Sequence, residues 1–124
     1  MIPKIFTAKE VDRQKILNTV LMGFSSDPLV RWMCPEAYNY VLFLEFFDGF
    51  GGAAIEHDSA YIVDGFKGTA LWLPPGIEPD EEKVVKEIEK NTAIEKHEDL
   101  FKILEKLEDY HPDETCWYLP IIAV

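Results

Sequence analysis

The chain has 124 residues, of which 48% are hydrophobic and 13% aromatic, enough for one domain, residues 1–124, with its own core. Acids outnumber bases 23 to 12, giving a net charge of −11, which disfavours binding to nucleic acids or anionic membranes. No apolar run is long enough to span a bilayer, and the first ten residues lack the apolar segment of a secretory signal. With only two cysteines, Cys34 and Cys116, we expect a reduced, cytoplasmic protein.

The N-terminal segment predicts a strand followed by a helix. Residues 1–6 are typical of a short strand. Thr7 and Glu10 have the spacing of a capping box, in which the hydroxyl accepts a main-chain N–H and the carboxylate reaches back. The helix that follows is expected to run from about Ala8 to Gly23.

Two further helices are expected before the next strand. Asp27 is a favourable N-cap residue, and Pro28 suits the first position of a short second helix. A longer and very apolar third helix is predicted from about Glu36 into the fifties, packed in the core or against a partner. Three glycines in it are costly in a helix, so they either end it or allow another backbone to approach closely; they are Gly49, Gly51 and Gly52.

A β-hairpin is predicted in the middle of the chain. Residues 59–63 and 66–73 are its strands, and Asp64-Gly65 between them is typical of a two-residue turn with positive φ at both positions. Pro74, Pro75 and Gly76 end the second strand.

The last third of the chain predicts two helices and a strand. Residues 78–109 are helical and rich in acids, with a break at Asn91-Thr92; their charged face is either solvated or a wall that attracts a cationic amine. Residues 115–124 predict a strongly apolar strand. The order β-α-α-α-β-β-α-α-β indicates an α/β (α+β) domain.

Several segments, in order along the chain, resemble the N-terminal half of the GNAT N-acetyltransferase superfamily. They are Asp-Pro-Leu-Val-Arg-Trp-Met at 27–33, Pro-Glu-Ala-Tyr at 35–38, Gly-Thr-Ala-Leu-Trp-Leu-Pro-Pro-Gly at 68–76, and His-Pro at 111–112 followed by Trp-Tyr-Leu-Pro at 117–120. The resemblance implies a GNAT-like mixed sheet of about four strands with flanking helices. It also implies direct acetyl transfer from acetyl-CoA to a small amine.

The family's fourth strand leads into a loop of the pattern Gln/Arg-x-x-Gly-x-Gly/Ala, whose main-chain amides hold the acetyl-CoA pyrophosphate. The matching strand here is residues 117–124, and the sequence contains no such loop after it. We therefore expect a GNAT-type domain truncated after the fourth strand, with weak or absent acetyl-CoA binding and activity.

The resemblance also assigns candidate site residues. Main-chain groups of Ile122, Ala123 and Val124 would lie along the cofactor, where one N–H polarises the thioester carbonyl. An acceptor-amine cleft would be lined by four aromatic residues, for which ordinary core packing is the alternative: Trp32, Tyr38, Trp72 and Tyr118. No catalytic residue can be assigned, and neither metal-ligand spacings nor a Gly-x-Ser-x-Gly motif occur.

An alternative function is a non-catalytic interaction module. A terminal strand ending at residue 124 would present a bare sheet edge, and such edges pair with other chains. The Phe-rich helix from Glu36 adds apolar surface that needs a partner. This reading predicts a homodimer or larger oligomer.

Overall fold

The structure is a computed structural model that describes residues 2–124. Four strands form one sheet in the order β1 (Ile5–Thr7), β2 (Ala60–Val63), β3 (Thr69–Leu73) and β4 (Tyr118–Ala123). Each neighbouring pair is antiparallel. The predicted four-stranded sheet with flanking helices is confirmed, and the sheet is antiparallel throughout rather than mixed.

Helices connect β1 to β2 and β3 to β4. The first connection holds α1 (Arg13–Gly23), α2 (Pro28–Met33), α3 (Ala37–Val41), α4 (Leu44–Gly51) and α5 (Ala53–Glu56), and the second holds α6 (Glu81–Asn91) and α7 (His97–Asp109). Short 3-10 turns precede α1 and α7, at Glu10–Asp12 and Ile94–Lys96. None of the helices in residues 2–124 is long and apolar enough to cross a membrane.

The helical layer packs on one face of the sheet. Leu71 and Leu73 of β3 are fully buried, and a Cβ added at Gly51 of α4 would lie 3.0 Å from Leu71 Cδ1. A Cβ at Gly49 would lie 3.2 Å from Lys83 of α6. These glycines therefore let α4 approach both β3 and α6. Close approach of another backbone is one of the two roles that the sequence predicted for them.

The opposite face of the sheet carries apolar side chains that are exposed or half-buried. The register places Tyr61, Ala70 and Ile122 in one row across β2, β3 and β4, and Tyr61 and Ile122 are exposed. Because side chains alternate along a strand, Val63 and Trp72 lie on the same side. We call Ile5 and these five residues the open face.

The predicted capping box is wrong. Thr7 belongs to β1, where it pairs with Tyr61, and the main-chain N–H of Lys9 donates to Asp12 Oδ2 at 2.9 Å. Glu10 instead accepts from Arg13 Nε at 2.7 Å. The helical segment therefore begins later than predicted, because Thr7 is held in the sheet ladder.

The prediction of a single long third helix is also wrong, since this segment forms three helices, α3, α4 and α5. The first break falls at Leu42 and Phe43, and the Phe43 side chain is fully buried and stacked on Phe46 with ring centroids 4.3 Å apart. Core packing of this aromatic pair overrides the local helical preference.

The hairpin is confirmed, but its two-residue turn is wrong. Positive φ occurs at Gly65 and Phe66 rather than at Asp64, and the Val63 amide donates to the Gly68 carbonyl at 2.9 Å. The connection thus spans residues 64–68. This longer loop shifts the register by two residues, so that Leu71 rather than Thr69 lies opposite Ala60 and both side chains stay on the buried face.

The helix boundaries predicted at two other sites are confirmed. Asp27 Oδ1 accepts from the Val30 amide at 2.9 Å, and Pro28 is the first residue of α2. The α6 helix ends at Asn91, and the Thr92 amide still donates to the Ile88 carbonyl.

Candidate functional site at the end of strand β4

The last residues of β4 lie in a tight contact between α1 and the hairpin loop. A Cβ added at Gly23, the last residue of α1, would lie 2.8 Å from Ala123 Cβ. A Cβ added at Gly68 would lie 3.1 Å from the Ala123 carbonyl oxygen. Glycine at both positions therefore fixes the end of β4 from two sides.

The outer edge of β4 carries main-chain groups that point away from β3. The Trp72 amide donates to the carbonyl of Ser59, the residue before β2, at 3.1 Å. Leu71, its neighbour, therefore turns its main-chain groups toward β4, opposite Ile121. By the same alternation Ile122, opposite Ala70, turns its main-chain groups outward. The Ile122 amide is therefore a free donor at this edge.

A β-bulge interrupts the pairing of β3 with β4 just before this donor. Leu71 pairs with Ile121 and Leu73 with Tyr118, so Trp72 faces two residues, Leu119 and Pro120. Bulges of this kind redirect side chains and often lie next to active sites. Here the bulge places Trp72 beside the outward-facing edge, on the open face that also holds Ile122.

A solvent-open cavity of about 520 Å³ adjoins the end of β4. It is lined by one side of α1, the hairpin loop and the last residue of the chain: Lys15, Asn18, Thr19, Met22, Gly23, Phe66, Lys67 and Val124. Its lining contains two lysine side chains and no acidic side chain. The side chains around this cavity are therefore locally cationic in an acidic protein.

The three residues predicted to contact the cofactor differ in exposure. Ile122 is 59% exposed and Val124 98%, whereas Ala123 is 4% exposed and faces α1. The structure therefore offers main-chain groups of Ile122 and Val124 to a ligand, and Ala123 acts as their anchor. Their contact with acetyl-CoA stays a prediction.

Two of the predicted cleft aromatics lie in the helical layer. Trp32 of α2 is partly exposed, with Lys96 Nζ 5.3 Å from its ring centroid. Tyr38 of α3 is mostly exposed. Ring contacts among residues 2–124 do not join these two to each other or to the aromatics of the sheet.

The other two predicted aromatics lie on the sheet, on different faces. Trp72 is on the open face, while Tyr118 packs against the core and its ring centroid is 4.5 Å from that of His111. Burial raises the pKa of Tyr118. The four aromatics thus do not form one wall, and the role of each in substrate binding stays a prediction.

The described residues offer binding groups rather than a nucleophile with a base. Burial raises the pKa of Cys34 to about 11, which keeps this thiol protonated and unreactive. Burial likewise raises the pKa of Tyr40 to about 12, and its hydroxyl donates to the Leu21 carbonyl. Within residues 2–124 no group of His, Cys, Asp and Glu side chains is placed to hold a metal ion.

Sequence reasoning missed the cationic cavity. Lys15 belongs to α1 and Lys67 to the hairpin loop, and only the packing of both elements on the end of β4 brings them to one cavity. Neither residue lies in a recognisable motif, so no spacing signal could have found the pair.

Comparison with known proteins supports the fold. No protein-family model and no curated protein matches the chain. A solved structure described as histone acetyltransferase HPA2 and related acetyltransferase, from Corynebacterium glutamicum, matches with a TM-score of 0.59 and 20% identity.

The chain shares the fold of that acetyltransferase. The alignment covers 100% of this chain and 61% of the neighbour's, so the chain spans about three fifths of its length. The predicted GNAT-like fold is confirmed.

Proposed function

We propose that the chain takes part in GNAT-type acetyl transfer from acetyl-CoA to a small amine, in the cytoplasm, with the outer edge of β4 as the donor-binding strand. The observation that supports this most is the outward-facing amide of Ile122, beside the bulge at Leu119 and Pro120 and next to the cavity. The shared fold with an acetyltransferase of known structure supports it too.

The edge of β4 fits the extended, amide-containing arm of acetyl-CoA. An arm laid along the strand can hydrogen-bond to outward-facing main-chain groups, as an added strand does. These main-chain groups fit the arm and the thioester of the cofactor. We therefore expect weak binding of acetyl-CoA to these 124 residues.

The chain's own groups define the chemistry that the edge can support. When bound, acetyl-CoA supplies the acetyl group as a thioester. The Ile122 N–H would donate to the carbonyl oxygen and stabilise the negative charge that grows there as an amine attacks. Ala123, packed against Gly23, would hold this donor in place.

For the acceptor amine, Trp72 is the best placed of the four predicted aromatics. It lies opposite the bulge and shares the open face with Ile122. An indole can bind an amine's alkyl part and attract an ammonium group through its ring face. We propose Trp32, Tyr38 and Tyr118 as more distant contacts for a larger amine.

A phosphate-free thioester, N-acetyl-S-acetylcysteamine, tests the donor strand directly. In a backbone-amide NMR titration we expect the Ile122 and Val124 resonances to shift, with a Kd in the millimolar range. Ile122→Pro removes the proposed donor at a position whose N–H faces outward, so the fold should tolerate it. The matched control, Ile122→Val, keeps the N–H.

The expected result is that Ile122→Pro no longer responds to the thioester and Ile122→Val still does. Retained shifts in the proline variant, or no shifts at β4 in the unmodified protein, would contradict the proposed function. The amide spectrum without ligand shows whether each variant is folded.

A second candidate function, homodimerisation, is favoured by the open face and the same edge. Ile5 is 66% and Tyr61 38% exposed, and β4 carries no charged residue that would repel a second copy. Two β4 strands paired antiparallel about a two-fold axis would satisfy each other's outward-facing groups and bury Ile122 from both chains. A second copy of the chain is the partner we propose.

Light scattering coupled to size exclusion tests this dimer. We expect a dimer at tens of micromolar protein, and a monomer for Ile122→Lys, because a charge would be buried at the paired edge. Leu107→Lys, at an exposed position on α7, should leave the dimer intact. A monomeric mass at every concentration of the unmodified protein would contradict the proposal.

A further inference from the structure

We infer that residues 92–109, which hold the 3-10 turn at Ile94–Lys96 and α7, form a flap that opens as a unit and is latched by Lys96 on Trp32. Opening of the flap uncovers the thiol of Cys34 and frees the ring and the carbonyl of Trp32. This inference does not depend on the proposed acetyl transfer, because it concerns the packing of α7 against α2.

The flap is packed less firmly than the helix that precedes it. Within the described part of the chain, Leu100 is the buried residue of α7, and Phe101 and Leu104 are partly buried against the core. By contrast, α6 buries Val84 and Ile88 and packs along α4. Segments with few buried apolar side chains open at a lower free energy than the core. We therefore expect α6 to stay in place when the flap opens.

Both ends of the flap lie at breaks in the regular structure. Thr92 has extended backbone angles, with a φ of −122° and a ψ of 158°, directly after the end of α6 at Asn91. Beyond Asp109, residues 110–117 are exposed and form neither a helix nor a strand. The flap can therefore rotate about a hinge at Asn91-Thr92 without displacing α6 or β4.

Lys96 is the latch that joins the flap to α2. Its ammonium group donates to the Trp32 carbonyl and lies 5.3 Å from the centroid of the Trp32 ring. The carbonyl belongs to the last turn of α2, where main-chain oxygens lack intrahelical partners and attract a cation. Among residues 2–124, the other hydrogen bonds of the flap lie within it or at its junctions with α6 and the following loop. Lys96 is therefore its polar tie to the rest of the helical layer.

The thiol of Cys34 lies where the flap meets the end of α2. Cys34 is 1% exposed, and its Sγ donates to the carbonyl oxygen of Asn91, at the hinge, over 3.4 Å. Burial raises the pKa of Cys34 to about 11, and the charges of Lys96 and Arg31 counteract this rise in part. A buried, protonated thiol does not react with reagents in solution. The reactivity of Cys34 therefore reports how often the flap opens.

Alkylation of Cys34 by iodoacetamide, followed by mass spectrometry, tests the flap. Every protein carries Cys116→Ser, so that a single thiol remains. We expect Lys96→Gln to react about three- to tenfold faster, the range expected for loss of one partly exposed hydrogen bond. Lys96→Arg keeps a cation with several donors and should react within about twofold of the unmodified rate. Lys90→Gln, at an exposed lysine of α6, is the matched control and should leave the rate unchanged.

A second measurement separates opening of the flap from unfolding of the whole protein. Urea unfolding gives the fraction of globally unfolded chains and hence the alkylation rate that global unfolding alone would allow. We expect Cys34 to react at least about tenfold faster than this limit, both in the unmodified protein and in Lys96→Gln. A rate equal to the global limit, or a rate for Lys96→Gln no higher than that for Lys90→Gln or Lys96→Arg, overturns the inference.

Discussion

At the scale of single residues, Gly23 shows how one missing side chain positions the candidate site. The sequence indicates Gly23 as the end of the first helix, and α1 does end there. The reason for glycine is a contact made in space, because any Cβ would lie 2.8 Å from Ala123 Cβ. That contact could not be predicted from a helix pattern alone.

We expect Gly23→Ala to destabilise the protein by about 1–3 kcal/mol, the usual effect of overpacking, although alanine favours helices. Ala123→Gly in the same chain removes the opposing Cβ and should recover about 1 kcal/mol. Urea unfolding of the single and double variants measures this coupling. Gln14→Ala, at an exposed position of α1, should change stability by less than about 0.5 kcal/mol; a similar loss there would contradict the steric explanation.

At the scale of elements, Asp48 joins three helices. It accepts from Arg13 of α1 at 2.5 Å and from Lys83 of α6 at 2.6 Å, and its side chain is only 14% exposed. Burial alone lowers the pKa of Lys83, but hydrogen bonds to Asp48 and Glu45 outweigh it and raise the pKa to about 12. A network of this kind fixes α1 and α6 against α4.

Asp48→Asn should lower the free energy of unfolding by about 2 kcal/mol, because two partly buried cations lose their shared carboxylate. Urea unfolding at neutral pH measures the loss. Glu98→Gln removes one side of an exposed pair with Lys102 and should change stability by less than about 0.5 kcal/mol. Equal effects of the two substitutions would contradict the role given to Asp48.

The pH dependence of this network has a definite sign. Because the pKa of Lys83 is higher in the folded protein than its ordinary value of 10.5, its stabilisation is complete below pH 10.5 and is lost as pH rises toward 12. The stability difference between the unmodified protein and Asp48→Asn should therefore be constant from pH 7 to 10 and shrink above. A stability difference that grows above pH 10 would contradict the assignment of Asp48 as the partner that raises the pKa of Lys83.

The boundaries of helices and strands were predictable from the sequence where neighbouring residues alone determine them. Asp27 with Pro28 begins α2 as expected, since capping needs only neighbouring residues. The break at Phe43 was not predictable, because its stacking on Phe46 in the core decides it. The two-residue turn predicted at Asp64-Gly65 was wrong, because positive φ occurs at Gly65 and Phe66 and the loop closes with the Val63 amide on the Gly68 carbonyl.

At the scale of the whole molecule, the sequence predicted the sheet and helices through ordered segments such as residues 27–33 and 68–76. The solved acetyltransferase confirms that fold. The candidate site was predicted in part. Residues 122–124 lie at an accessible strand edge beside a cavity, but the paired lysines and the separation of Trp72 from Tyr118 depend on tertiary packing.

Pro120 determines the shape of anything that extends the sheet at β4. It has no N–H and lies within the bulge, so a neighbouring strand would find no main-chain donor at this residue. A strand added at this edge would therefore pair more fully beside Ile122 than beside Pro120.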